Sequence, residues 1–225
     1  MPLLGKGMLL TFTDVSARDE RDYNEWYNRE HIDDRVSLPG FHRGRRYAAV
    51  RGTPRYLAIY ECDTVAILGT PNYLQTLDHQ TPWSQRVMAR FIHFKRLTLR
   101  VQLDQTHGVG AALATVRFVP DPRRRKALVE FLSAQIVPKL IARPAVLGAA
   151  VGENDLEVMH APLQDKSMDH PRADESEWVA LIEGADVAAV GTAARSLFTT
   201  SRLRPFGVEA APAIATWRFL FGNQR

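Results

Sequence analysis

The sequence predicts an α+β fold made of two successive βαββαβ units, and three observations lead there. Strand-length apolar runs and helix-period stretches follow one another as strand, helix, strand, strand, helix, strand over residues 7–103, and the same order returns over 109–221. The strands are apolar on both faces. Tyr56, Ala58 and Tyr60 point one way while Leu57 and Ile59 point the other, and the runs Trp178-Val179-Ala180-Leu181-Ile182 and Ala213-Ile214-Ala215-Thr216-Trp217 behave alike, so each sheet is covered twice. Finally, 225 residues that are 45% hydrophobic and 24% charged, with 14 Gly and 13 Pro, describe an ordinary globular chain and exclude collagen, coiled coil and wholesale disorder.

Residues 7–14 read as a strand ended by the polar turn 14–19. Residues 19–37 read as a helix, closed by the breaker run Leu38-Pro39-Gly40. Strands at 41–50 and 55–62 are joined by the turn Arg51-Gly52-Thr53-Pro54. A helical region from 64 to about 90 is interrupted at Gly69-Thr70-Pro71 and Thr81-Pro82, and 91–103 closes the unit as a strand. This order is the ferredoxin-like one. In the second unit 109–119 is a strand and Pro120-Asp121-Pro122 opens a helix to about 142. Strands follow at 146–151 and 177–184, then a helix at 186–200 and a last strand at 212–221. Trp26-Tyr27 falls on Glu130-Phe131, and His31 on Gln135. The division is therefore 1–105 and 106–225, a tandem duplication with a long insertion at about 152–176 where the first unit has a four-residue turn. Two sheets in one chain, each needing cover, are expected to face each other.

Net charge is only +4. Much of the excess sits in Arg43, Arg45, Arg46 and Arg51, read as an exposed strand, and in Arg123, Arg124, Arg125 and Lys126 at a helix start; both read as solvated faces. Neither is paired with a nucleic-acid module or stacking aromatics, so no nucleic-acid partner is expected. The lone cysteine, Cys62, excludes an internal disulfide and reads as a small buried filler. The start Met1-Pro2-Leu3-Leu4-Gly5-Lys6-Gly7 is no signal peptide and no apolar run reaches spanning length, so a soluble, cytoplasmic protein without a membrane partner is expected. No dinucleotide, P-loop or nucleophile-elbow motif occurs, and no cofactor is expected. No metal is expected either: there is no His-x-x-x-His pair, and His160, Asp165, Asp169, His170 and Asp174 fall in a polar loop.

The run Asp22-Tyr23-Asn24-Glu25-Trp26-Tyr27-Asn28-Arg29-Glu30-His31-Ile32 resembles the dimeric α+β barrel superfamily, and its EthD-like branch in particular. So do Leu38-Pro39-Gly40-Phe41, Arg45-Arg46-Tyr47 and Pro54 to Glu61. The resemblance covers residues 7–103 and is topological beyond them. It implies two ferredoxin-like units closing as a barrel, here from one chain. The superfamily includes monooxygenases, isomerases, haem enzymes and proteins of unknown role, so fold does not assign chemistry. A haem would want an axial histidine in the second unit, where only His160 and His170 follow His107.

On the first helix a 3.6-residue period puts Tyr23, Trp26, Tyr27, Glu30 and Asp34 on one stripe with His31 at its edge. Trp26 reads as core. Buried carboxylates need partners, which Arg45, Arg46 or Arg55 could supply. The resemblance implies that His31 faces a pocket between helix and sheet, where it is the catalytic candidate for proton transfer. The competing reading is a structural histidine bonded to a backbone carbonyl. Tyr23, Tyr27 and Trp83 are the candidate lining and Arg46 the candidate oxyanion holder. Tyr73, Asp78, His79 and Trp83 form a weaker set, because the adjacent Asp78 and His79 diverge around a helix.

Two functions follow. One is a cofactor-independent enzyme of monooxygenase, isomerase or cyclase type acting on a small hydrophobic, aromatic or enolisable compound. The other is a non-catalytic binding or stress-associated barrel. An open cavity at His31 favours the first and a helix packed flush on the sheet the second. A homodimer is expected to use helices, strand edges or the 152–176 loop, with Val158, Met159 and Leu163 packed on the barrel end or a partner.

Overall fold

The structure, a computed structural model, describes residues 3–159 and 176–225. Eight strands form it: β1 (Gly7–Asp14), β2 (Phe41–Arg51), β3 (Tyr56–Cys62), β4 (Ile92–Thr106), β5 (Ala112–Phe118), β6 (Val146–Asn154), β7 (Trp178–Gly184) and β8 (Ala213–Gln224). All ladders are antiparallel, and the strand order β1-β3-β2-β8-β5-β7-β6-β4 closes on itself. The protein is an α+β closed barrel. The expected pair of facing sheets is thus one continuous sheet, joined where β2 pairs with β8 and β4 with β6. Every strand is paired on both sides, so a homodimer through strand edges finds no unpaired strand among the described residues.

Two-sided apolarity follows from closure. Met8, Leu10, Phe12, Leu57, Ile59, Leu97, Leu113, Leu181 and Trp217 fill the barrel. The alternate residues face helices in two separate outer layers, one per half. The Thr-Pro and Asp-Pro pairs that interrupt the helical regions are helix starts. Thr70 accepts from the Tyr73 amide ahead of helix Pro71–Asp78, Thr81 from Ser84 ahead of Pro82–Met88, and Asp121 from Arg123.

The first helix is not uniform. It runs as α-helix Glu20–Trp26, a π-turn Tyr27–His31, and α-helix Ile32–Val36. The extra residue per turn advances the register, so His31 and Arg35 turn toward the sheet while Asp33 and Asp34 turn to solvent. A second π-turn, Leu132–Ile136, lies at the matching place in the second half. It aligns His31 with Ile136; Gln135 is exposed, which corrects the expected match by one residue.

The first arginine cluster is not a solvated face. Arg43, Arg45 and Arg46 are buried. Inside the barrel Glu61 receives Arg43 at 2.7 Å and Arg45 at 3.0 Å, and Arg45 also reaches Glu183 at 2.5 Å. Residues 123–126 are exposed, as expected. No helix among the described residues is long and apolar enough to cross a membrane. Of the insertion, Val158 packs on the first-half outer layer near Gly69, and the Met159 sulfur accepts from Asn154 at 3.2 Å; Leu163 and the polar loop residues His160, Asp165, Asp169, His170 and Asp174 lie outside the described residues.

Candidate functional site

Between the first helix and β1, β3 and β4 lies an aromatic layer with buried polar atoms in it. His31 is 8% exposed and stacks on Trp26, ring centroids 4.1 Å apart at 27°. Tyr27 and Tyr60 meet it edge-on at 5.0 and 6.2 Å. Gly44 lets helix and sheet come this close: a Cβ there would stand 3.0 Å from Ile32 Cγ2 and 3.2 Å from the Tyr60 ring. The helix is therefore packed flush.

The packing leaves polar atoms unmatched. His31 Nδ1, Tyr60 Oη, Arg35 Nη1, Arg96 Nε and Thr11 Oγ1 are all buried without a hydrogen-bond partner. Buried polar groups are nearly always bonded, so five in one layer mark the place. His31 does not bond a backbone carbonyl through Nδ1. Burial, then the Arg35 and Arg46 guanidiniums, hold its pKa well below the ordinary 6.5, so the imidazole is neutral near pH 7. Burial, then the nearby Tyr27, push the Tyr60 phenol well above 10, which keeps it a donor.

Of the expected site residues, the structure gathers Tyr23, Tyr27, His31 and Arg46 in this layer. Arg46 lies 4.2 Å above the Tyr27 ring and donates to the side-chain oxygens of Asn28 and Asn24, each at 2.8 Å. Its guanidinium is thereby turned to the helix rather than left free to hold an oxyanion. Trp83 packs at the edge of this cluster, and its indole donates to Asp22 at 2.9 Å, pinning the two helical segments together. Tyr73 packs inward beside Phe41, while His79 bonds its own helix through the Gln75 carbonyl. The stripe carboxylates are not paired to Arg45, Arg46 or Arg55 as expected. Glu30 accepts from Trp26, Ser84 and Thr81, Asp34 is exposed, and Arg55 pairs with Glu20. Cys62 is buried, its thiol pushed up to about 12 chiefly by burial.

Arg35, Tyr60, Arg96 and Thr11 were not among the expected residues. Arg35 was findable, standing four positions after His31; Arg96 and Thr11 needed the β1–β4 register, which pairs them.

The second half supplies an internal comparison. By strand register and π-turn, His31, Arg35, Arg46, Tyr60, Thr11 and Arg96 match Ile136, Leu140, Val151, Ile182, Val116 and Ile214. At these six positions that layer is apolar. It presents no side chain able to ligate iron, so its described residues do not fit a haem; among the described residues no group of three potential metal ligands exists.

No family model matches the chain, and no curated protein sequence matches it. Solved structures do. An anthrone oxidase-like protein superposes with TM-score 0.66 at 13% identity, over 97% of this chain and 92% of that one. A Lactobacillus acidophilus protein provisionally named a monooxygenase gives 0.60 at 9%, over 97% and 96%. A mutant chlorite dismutase from Candidatus Nitrospira defluvii gives 0.56 at 8%, over 94% and 90%. At such identities the likeness establishes the fold, the dimeric α+β barrel, and leaves activity to the site.

Proposed function

We propose that the protein is an EthD-like barrel, a tandem duplication with units at 1–105 and 106–225, whose first half is a cofactor-independent enzyme for a small aromatic or enolisable compound. The observation that carries the reading is the neutral, buried His31 with Nδ1 unpartnered beside the unpartnered Tyr60 hydroxyl, where the matching positions are Ile136 and Ile182. In the Nε2–H tautomer Nδ1 has a free lone pair and removes a carbon-bound proton. Tyr60 and Arg35 donate to the oxygen on which the charge develops. Tyr23, Tyr27 and Trp26 surround the pair with aromatic rings that exclude water. The resulting enolate is the common intermediate of isomerase, cyclase and dioxygen-consuming monooxygenase chemistry, and the names of two structural neighbours point to the last.

A second reading, ligand binding without turnover, is favoured by the flush 4.1 Å stack on Trp26. Anthrone, named in one neighbour, separates them. Deuterium exchange at its methylene group should be catalysed by the wild type and fall roughly 100-fold or more in His31→Phe. Exchange at the buffer rate, or equal rates in both proteins, would leave binding alone. We further place the protein in the cytoplasm on its lone buried cysteine, and any self-association on helices or the 152–176 loop.

A further inference from the structure

We propose that the first-half layer binds an organic anion, a small aromatic acid whose carboxylate is received between Arg35 and Arg96. This deepens the functional reading above and shares its location, but it does not depend on proton transfer by His31. Inside the barrel the buried arginines sit on acids, Arg43 on Glu61 and Arg45 on Glu61 and Glu183, and in this layer buried Arg46 is held by the Asn24 and Asn28 side-chain oxygens. Arg35 is 2% exposed and Arg96 half-buried, yet among the described residues neither makes an ion pair. The two approach the same ring from different elements, the Arg35 guanidinium 5.9 Å and the Arg96 guanidinium 5.8 Å from the Tyr73 centroid. Arg35 Nη1 and Arg96 Nε have no acceptor, and neither Thr11 Oγ1 nor Tyr60 Oη has a partner.

What these four groups lack in common is an acceptor carrying negative charge. Water could satisfy the hydrogen bonds, but it would leave two cations uncompensated in a buried layer. A carboxylate supplies about four lone-pair sites and the missing charge together. Tyr73, which both guanidiniums approach, is the aromatic neighbour of that carboxylate, and the ring that bears it extends past half-buried Arg96. The scaffold itself does not ask for the cations, since Leu140 and Ile214 hold the matching positions in the second half.

Calorimetric titration with benzoate, salicylate and 2-naphthoate, each against its neutral amide, tests this. The wild type should bind at least one acid about tenfold or more tightly than its amide. Arg96→Gln and Arg35→Gln should each remove that preference while the ligand-free protein melts no lower than wild type. His31→Phe should keep it, so that lost turnover with retained acid binding separates the two readings. Equal affinity for acid and amide, no binding of any of the three acids, or undiminished preference in both arginine variants would overturn the proposal.

Discussion

Replacing His31 by Phe should change how stability depends on pH more than it changes stability at pH 7.5. The ring that remains fills the space between Trp26, Tyr27 and Tyr60, so the substitution nearly conserves volume and costs less than about 1.5 kcal/mol. His31→Ala is the poorer probe, because deleting the stacked ring would leave a cavity costing roughly 2–4 kcal/mol. The charged groups facing His31 are the Arg35 and Arg46 guanidiniums, and with burial they hold its pKa well below 6.5. An imidazole depressed in the native state is neutral there while the unfolded chain takes up a proton below about 6.5. The unfolded state then binds more protons, so wild-type stability falls as pH falls through that window. Each pH unit costs up to about 1.4 kcal/mol, and from pH 7.5 to 5.0 the loss reaches about 2 kcal/mol while the native ring stays neutral. The other histidines are common to both proteins, so the comparison isolates His31. Urea denaturation followed by tryptophan fluorescence at pH 7.5 and 5.0 should show the wild type losing about 2 kcal/mol more than His31→Phe. Parallel losses in the two proteins would refute a buried neutral His31.

Three further outcomes follow from the same geometry. Glu61→Gln leaves Arg43 and Arg45 in the barrel with Glu183 as the remaining carboxylate; a cost of about 3–5 kcal/mol should lower the thermal midpoint by roughly 10 °C. Glu30→Ala removes the acceptor shared by Trp26, Ser84 and Thr81 and should cost about 1–3 kcal/mol in chemical denaturation. Gly44→Ala pushes on Ile32 and on the Tyr60 ring; it should cost about 1–3 kcal/mol and lower benzoate affinity by displacing Tyr60.

Strand and helix order was legible because punctuation and apolar runs are local: Leu38-Pro39-Gly40 and Arg51 to Pro54 stop elements whatever the tertiary context. Closure was half-legible. Two-sided apolarity demanded a second cover, but the β2–β8 and β4–β6 pairings that make one sheet of two are non-local. The site was legible through Tyr23, Tyr27, His31 and Arg46, and obscured by one backbone irregularity. A strict 3.6 period placed Asp34 on the buried stripe and His31 at its edge, whereas the π-turn buries His31 and Arg35 and releases Asp34. The arginines of β2 misled for a different reason. An alternating Arg-Gly-Arg-Arg run has the pattern of a wet face, and only Glu61 and Glu183, the latter 138 residues from Arg45, make burial tolerable.

The two halves then differ in where charge is compensated. Inside the barrel Glu61 and Glu183 hold matching positions on β3 and β7, and Arg45 bridges them, so the buried charges there close on one another. Outside it, the layer over β5–β7 is built from Leu128, Leu132, Ile136 and Leu140 and needs no charge to pack. The layer over β1–β3 has the same helix, the same π-turn and the same strand register, yet carries His31, Arg35, Tyr60 and Arg96 with polar atoms unmatched. Each such atom costs about 1–3 kcal/mol that an apolar side chain would not. The apolar solution at the matching positions of the other half shows that packing alone does not require these groups. The proposed organic anion would supply the acceptors that Arg35 and Arg96 lack.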